Sequence, residues 1–121
     1  DIETTGLNFL EDTIHTVSMT LVNRDTGDLG RTLVLPIDHK EAKLGYKVKG
    51  AFMRFICKAM ANKKNRKILQ NAGFDLKFLK RYGVEDVYNV YDTKLLQHLY
   101  KEDVPKSLAD LVYYYFPEEK F

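Results

Sequence analysis

Between Ile14 and Val22 the chain reads IHTVSMTLV, apolar and polar residues in alternation, the period-two pattern of a strand with one buried face. RDTGDLG, Arg24 to Gly30, follows with two glycines and two aspartates, and TLVLPI, Thr32 to Ile37, resumes the alternation, which predicts a hairpin. The opening DIETTGL adds a short strand and completes a three-stranded antiparallel meander. Farther on the period changes. Phe52, Phe55, Ile56, Ala59 and Met60 fall at i, i+3, i+4, i+7 and i+8, one face of an amphipathic helix that must cover the sheet. KILQ, Lys67 to Gln70, reads as a short buried strand, FDLKFLKRY as a helix closed by Gly83, and VYNVY as another strand. A strand, a helix and a strand in succession imply parallel pairing. Thr93 to Tyr100 is helical, EDVP breaks it, and Ser107 with Asp110 forms a capping box for a last helix, Leu108 to Phe116. The fold class is α/β, a mixed sheet of about five strands flanked by helices.

A chain of 121 residues is one domain by size, and 45% hydrophobic with 30% charged residues sets it apart from disordered chains. No apolar run approaches the roughly 18 residues of a membrane span, and no signal peptide is expected, so a membrane partner is not expected either. The single cysteine, Cys57, leaves no internal disulfide partner and fits a reducing compartment. A net charge of +2 says little about partners, but its distribution is uneven. Asn62 to Lys67 reads NKKNRK, while acids gather at Glu85-Asp86, Glu102-Asp103 and Glu118-Glu119. The basic run reads first as a solvated loop and second as a phosphate-tracking contact.

The candidate chemistry begins at Asp1 and Glu3. In an extended strand they point the same way, with backbones about 6–7 Å apart. Two like charges on one face repel unless a cation sits between them, and hard carboxylate oxygens suit Mg²⁺ or Mn²⁺. Alone, the pair is equally at home on a solvated strand end. The second constellation is QNAGFD, Gln70 to Asp75, at a turn from strand into helix. Ligands gather outside the carboxyl ends of parallel strands, which predicts that Asp75 approaches Asp1 and Glu3 so that three carboxylates converge. An ordinary acid in a helical first turn is the other reading of Asp75. Gln70 and Asn71 add neutral donors and acceptors, and Gly73 lets a backbone come close.

DIETTGL followed by NAGFD resembles the first two motifs of the DEDD 3'-5' exonuclease superfamily, whose fold is ribonuclease H-like. LVLPIDH, Leu33 to His39, resembles the third strand and following loop of the proofreading domain of family A DNA polymerases. YDTKLLQHLY and SLADLVYYYF resemble the elements that follow the second motif there, so the likeness covers nearly the whole chain. It implies a 3'-5' exonuclease with Asp1, Glu3 and Asp75 as catalytic metal ligands for two divalent ions, Mg²⁺ or Mn²⁺. It further implies that nucleoside 5'-monophosphates are released from a single-stranded DNA 3' end. Thr4, Leu7, Gln70, Asn71 and Phe74 match positions that meet the terminal nucleotide. The rest of a polymerase chain in cis, and a cytoplasmic, nucleoid-associated location in a bacterial or phage-infected cell, belong to the same expectation. Ribonuclease D-like exoribonucleases share both motifs, and a non-catalytic nucleic-acid-binding or docking module of the same fold is the further alternative.

One departure from the family pattern stands out. The third motif, Tyr-x-x-x-Asp or His-x-x-x-Asp, is missing, and His98 with Glu102 imitates it only weakly, so residues 1–121 are expected to be an exonuclease core cut before that motif. The isolated core is expected to be poorly active. His15 reads as a strand-surface histidine and Cys57 as structural. Tyr113 to Tyr115 spread over about 200° of a helix, so at most one or two face a single ligand.

Overall fold

A computed structural model describes residues 1–118; Glu119, the second acid of the last acidic pair, lies outside them. Nine elements follow in order: β1 Ile2–Thr4, β2 Ile14–Val22, β3 Leu29–Pro36, α1 Tyr46–Ala61, β4 Lys67–Leu69, α2 Ala72–Arg81, β5 Val90–Asp92, α3 Thr93–Tyr100 and α4 Leu108–Tyr115. The class is the expected one, an antiparallel meander β1-β2-β3 and a parallel pair β4-β5 with four helices. The two sets of strands form separate ladders.

β2 does not keep a strict period of two, because Thr4 pairs with Ile14 and Glu3 with Thr16, leaving His15 as the extra residue of a bulge. The bulge changes the parity, so that Ile14 and Val17 both enter the core. They meet Ile2, Ile37, Ile56, Met60, Phe78, Leu79 and Val84 in one cluster. His15 is half-buried rather than a free strand-surface residue, and its ring lies edge-on to His39 at 5.5 Å.

α1 begins six residues ahead of the apolar stripe that predicted it, and buries Ile56 and Met60 while Phe55 stays exposed at the margin of the face. α2 starts at Ala72 and stops where Gly83, at φ 91°, turns the chain with its N–H donating to the Lys80 carbonyl. α4 has the expected capping box, the Ser107 hydroxyl accepting from the Asp110 N–H at 3.1 Å. Between α3 and α4 lies an apolar groove of about 390 Å³. Gln97 is buried beside it and accepts from the Tyr115 hydroxyl at 2.7 Å.

Candidate functional site

Asp1 and Ser18 exchange two backbone bonds, at 3.1 and 2.9 Å, so the next amide along β1, that of Ile2, turns away from β2. Asp75, on the first turn of α2, takes that amide with its Oδ1 at 3.1 Å. One carboxylate is thereby fixed against the β1 backbone at Ile2, between Asp1 and Glu3. Asp75 is only 4% exposed. Burial pushes its pKa above the ordinary carboxylate value and the nearby charge of Asp92 adds to this, while the Ile2 N–H pulls the other way. Asp1 and Glu3 are exposed, and among the described residues no group of three His, Cys, Asp or Glu side chains is gathered to hold an ion. The three side chains could offer a cation only carboxylate oxygens, which suit a hard divalent ion; Asp75 is held in place, whereas Asp1 and Glu3 are exposed and not gathered on it.

The turn before α2 is the second part. Asn71 occupies the left-handed region at φ 62°, which its short polar side chain tolerates. Asp92 holds it there, accepting from the amides of Asn71 at 3.0 Å and Ala72 at 2.8 Å. The same carboxylate caps α3 through the Lys94 amide at 2.9 Å. Sequence reasoning missed Asp92 as a site residue, although an acid just ahead of the helical TKLLQHLY is a helix-start signal.

The Thr-Thr-Gly corner is the third. The Asp12 carboxylate accepts from the Thr5 hydroxyl at 3.0 Å and the Asn8 amide at 2.8 Å, and a Cβ on Gly6 would stand 2.5 Å from its Oδ2. Thr4 donates to the Gly6 carbonyl at 2.7 Å, and Arg81 from the end of α2 donates to the carbonyls of Phe9 and Asp12 at 2.9 and 2.6 Å. The corner is therefore tied to α2, and it presents Leu7 with 85% of its surface exposed.

Leu7, Asn71 and Phe74 come together around a pocket of about 300 Å³ that Phe9, Gly73, Lys77 and Phe78 complete. Thr4 serves the corner rather than the pocket wall. Gln70 does not join them. Just beyond the end of β4, its amide donates to the Lys106 carbonyl at 2.8 Å and its oxygen accepts from the Thr93 hydroxyl, beside the groove between α3 and α4.

Behind the meander runs a network that no motif announces. The Ile14 amide donates to the Tyr82 hydroxyl at 3.0 Å, Tyr82 donates to Asp38 at 2.6 Å, and Lys49 pairs with the other Asp38 oxygen at 2.8 Å. Burial alone would raise the Asp38 pKa, but the bonds from Lys49 and Tyr82 hold it below the ordinary value.

The arrangement is an α/β domain with an Asp-x-Glu strand, a buried helical aspartate behind it and a mixed polar and aromatic pocket alongside. The model of the 3'-5' exonuclease family DNA_pol_A_exo1 matches residues 1–120, and the chain belongs to that family. No curated protein matches it.

Proposed function

We propose that the chain hydrolyses the 3'-terminal phosphodiester of single-stranded DNA, as the proofreading exonuclease of a family A DNA polymerase. The observation that carries the reading is Asp75, an ionisable group held 4% exposed against the Ile2 amide beside a pocket edged by Leu7, Asn71 and Phe74. A buried carboxylate whose pKa is raised by desolvation costs stability when ionised, and such costs concentrate where a charge has work to do. Asp1, Glu3 and Asp75 are the residues that would hold two Mg²⁺ or Mn²⁺ ions. Held there, such ions would supply Lewis-acid activation of a water and charge stabilisation for the leaving 3'-oxygen, the chemistry that would release nucleoside 5'-monophosphates.

The chain's own side chains do the rest. The pocket takes the terminal base against Phe74. Leu7, exposed on a corner that Asp12 and Arg81 immobilise, wedges beside that base and separates it from its neighbour. Unstacking costs free energy that a frayed end does not require, so single strands are preferred over paired ends. A ribonuclease D-like activity on RNA fits the same site.

Titration calorimetry and nuclease assays test the reading. The wild-type chain takes up Mn²⁺, and Asp75→Ala and Glu3→Ala each weaken uptake about tenfold or more, since each removes a charged ligand. A second reading, nucleic-acid binding without cleavage, is favoured by the exposure of Asp1 and Glu3, which are not gathered on Asp75. Under it, the variants bind oligonucleotide like wild type and no divalent ion is taken up. That outcome would remove the exonuclease assignment.

A further inference from the structure

At the amino ends of β4 and β5, the ends opposite Asn71 and Asp92, the loop from α1 carries Lys63, Lys64, Arg66 and Lys67 in succession without an acid. Among the described residues the one ion pair is Lys49 with Asp38, so no carboxylate neutralises any of the four. The loop is fixed by its own bonds. The Lys64 amide donates to the Asn62 side chain at 2.9 Å, the Asn89 side chain donates to the Lys63 carbonyl, and the Lys67 amide donates to the Asn89 carbonyl at 2.9 Å. Lys67 spends its ammonium inside the loop, on the carbonyls of Asn62 and Asn65, which leaves three cations facing outward. Two of these lie over exposed rings: Lys63 is 4.5 Å from the Tyr88 centroid and Arg66 is 5.7 Å from that of Tyr91. On this side Asp86 accepts a long bond from the Tyr88 hydroxyl at 3.4 Å.

We propose that this surface is a second binding site for single-stranded nucleic acid, separate from the carboxylate site, with Lys63, Lys64 and Arg66 on phosphates and Tyr88 and Tyr91 as stacking platforms. Cations without acid partners favour a polyanion, and exposed rings among them favour one whose flat faces are unstacked. An acidic peptide offers the charge without the faces, and a duplex hides the faces within its stack. β4 is only three residues long, so about 10 Å of strand separates this loop from the Asn71 turn. A strand of several nucleotides reaches both ends of β4, whereas a trinucleotide held at the pocket does not need the loop. The proposal does not depend on cleavage. It concerns where the body of the strand is held, whatever happens at its 3' end.

The test is fluorescence anisotropy with a labelled twelve-nucleotide oligothymidylate, in EDTA, over a range of salt, with thermal melts as folding controls. The triple variant Lys63→Ala, Lys64→Ala, Arg66→Ala should bind about tenfold or more weakly, with a log–log salt slope shallower by about 2, since each single-strand phosphate contact contributes about 0.7. Tyr91→Leu should lose about 5- to 100-fold while Tyr91→Phe, which keeps the stacking face, binds like wild type. Trinucleotide binding should be the same in wild type and triple variant. Mn²⁺ uptake by wild type and Asp75→Asn, measured separately by titration calorimetry without EDTA, reports on the carboxylate site alone, so no uptake by either with loop effects intact removes the exonuclease reading and supports this one. Wild-type affinity and slope in the triple variant overturn the proposal. So does equal competition by polyglutamate with no effect of Tyr91→Leu, or binding to phosphatidylserine vesicles in place of the oligonucleotide.

Discussion

Asp75 and Gly6 show how single residues sacrifice stability or freedom for the site. Because the folded-state pKa of Asp75 is raised, its ionisation opposes folding. The stability it contributes is fully present below the ordinary value of 3.8 and is lost as pH rises through the raised folded value. Asp75→Asn keeps an oxygen for the Ile2 amide and removes the buried charge. The variant should therefore melt above wild type at neutral pH, and the increment should vanish as pH falls toward 3.8, read from melting curves across pH. The same change should weaken divalent-ion uptake, as Asp75→Ala does, because it removes the charged ligand. Gly6→Ala acts by crowding, since its Cβ would press on the Asp12 carboxylate that holds the corner. A cost of about 1–3 kcal/mol is expected in denaturant titrations, together with weaker oligonucleotide binding as Leu7 loses its fixed position.

Among elements, the junction of β5 with α3 governs more than its length suggests. Asp92 caps α3 and also satisfies two amides at the start of α2, where Asn71 is left-handed. Losing one helix cap costs about 0.5–2 kcal/mol, and here two helix starts share one carboxylate. Asp92→Ala should therefore destabilise by about 2 kcal/mol or more and disorder the Asn71 turn, which chemical denaturation and amide exchange at Asn71 and Ala72 would read. Unchanged exchange at those two amides would mean that the turn is held by α2 packing instead. α1 and α4 needed no such device. Their faces and caps follow from apolar spacing and from Ser107 with Asp110, and both formed within a few residues of expectation at their carboxyl ends.

The whole molecule is held by contacts that cross between elements distant in sequence. Among the described residues no ladder joins the meander to the β4-β5 pair; the core cluster, the Ile2–Asp75 bond and the Ile14–Tyr82–Asp38–Lys49 network tie the meander to α1 and α2 instead. Tyr82→Phe leaves the Ile14 amide without its acceptor and should cost about 1–3 kcal/mol. Asp38 has a lowered folded-state pKa, so its contribution is present above 3.8 and lost as pH falls through the folded value. The gap between wild type and Tyr82→Phe should accordingly narrow in acid, as urea titrations at neutral and acid pH would measure.

By itself the sequence determined what is local: the β2–β3 hairpin, the helical faces, the Gly83 stop, the Ser107 cap, and the two motifs that carry Asp1, Glu3 and Asp75. These follow from side-chain periodicity and backbone geometry over a few residues. Only the tertiary structure decided that His15 is the bulged residue that turns Ile14 inward, and that Gln70 faces Lys106 and Thr93 while Asn71 faces the pocket. It likewise decided that Asp92 serves two helices and that Tyr82 bridges Ile14 to Asp38. Register shifts and hydrogen bonds between residues 20 to 70 positions apart leave no periodic trace in the chain. Which donor meets which acceptor is settled when the elements pack, because a buried polar group takes whichever partner the packing brings within reach.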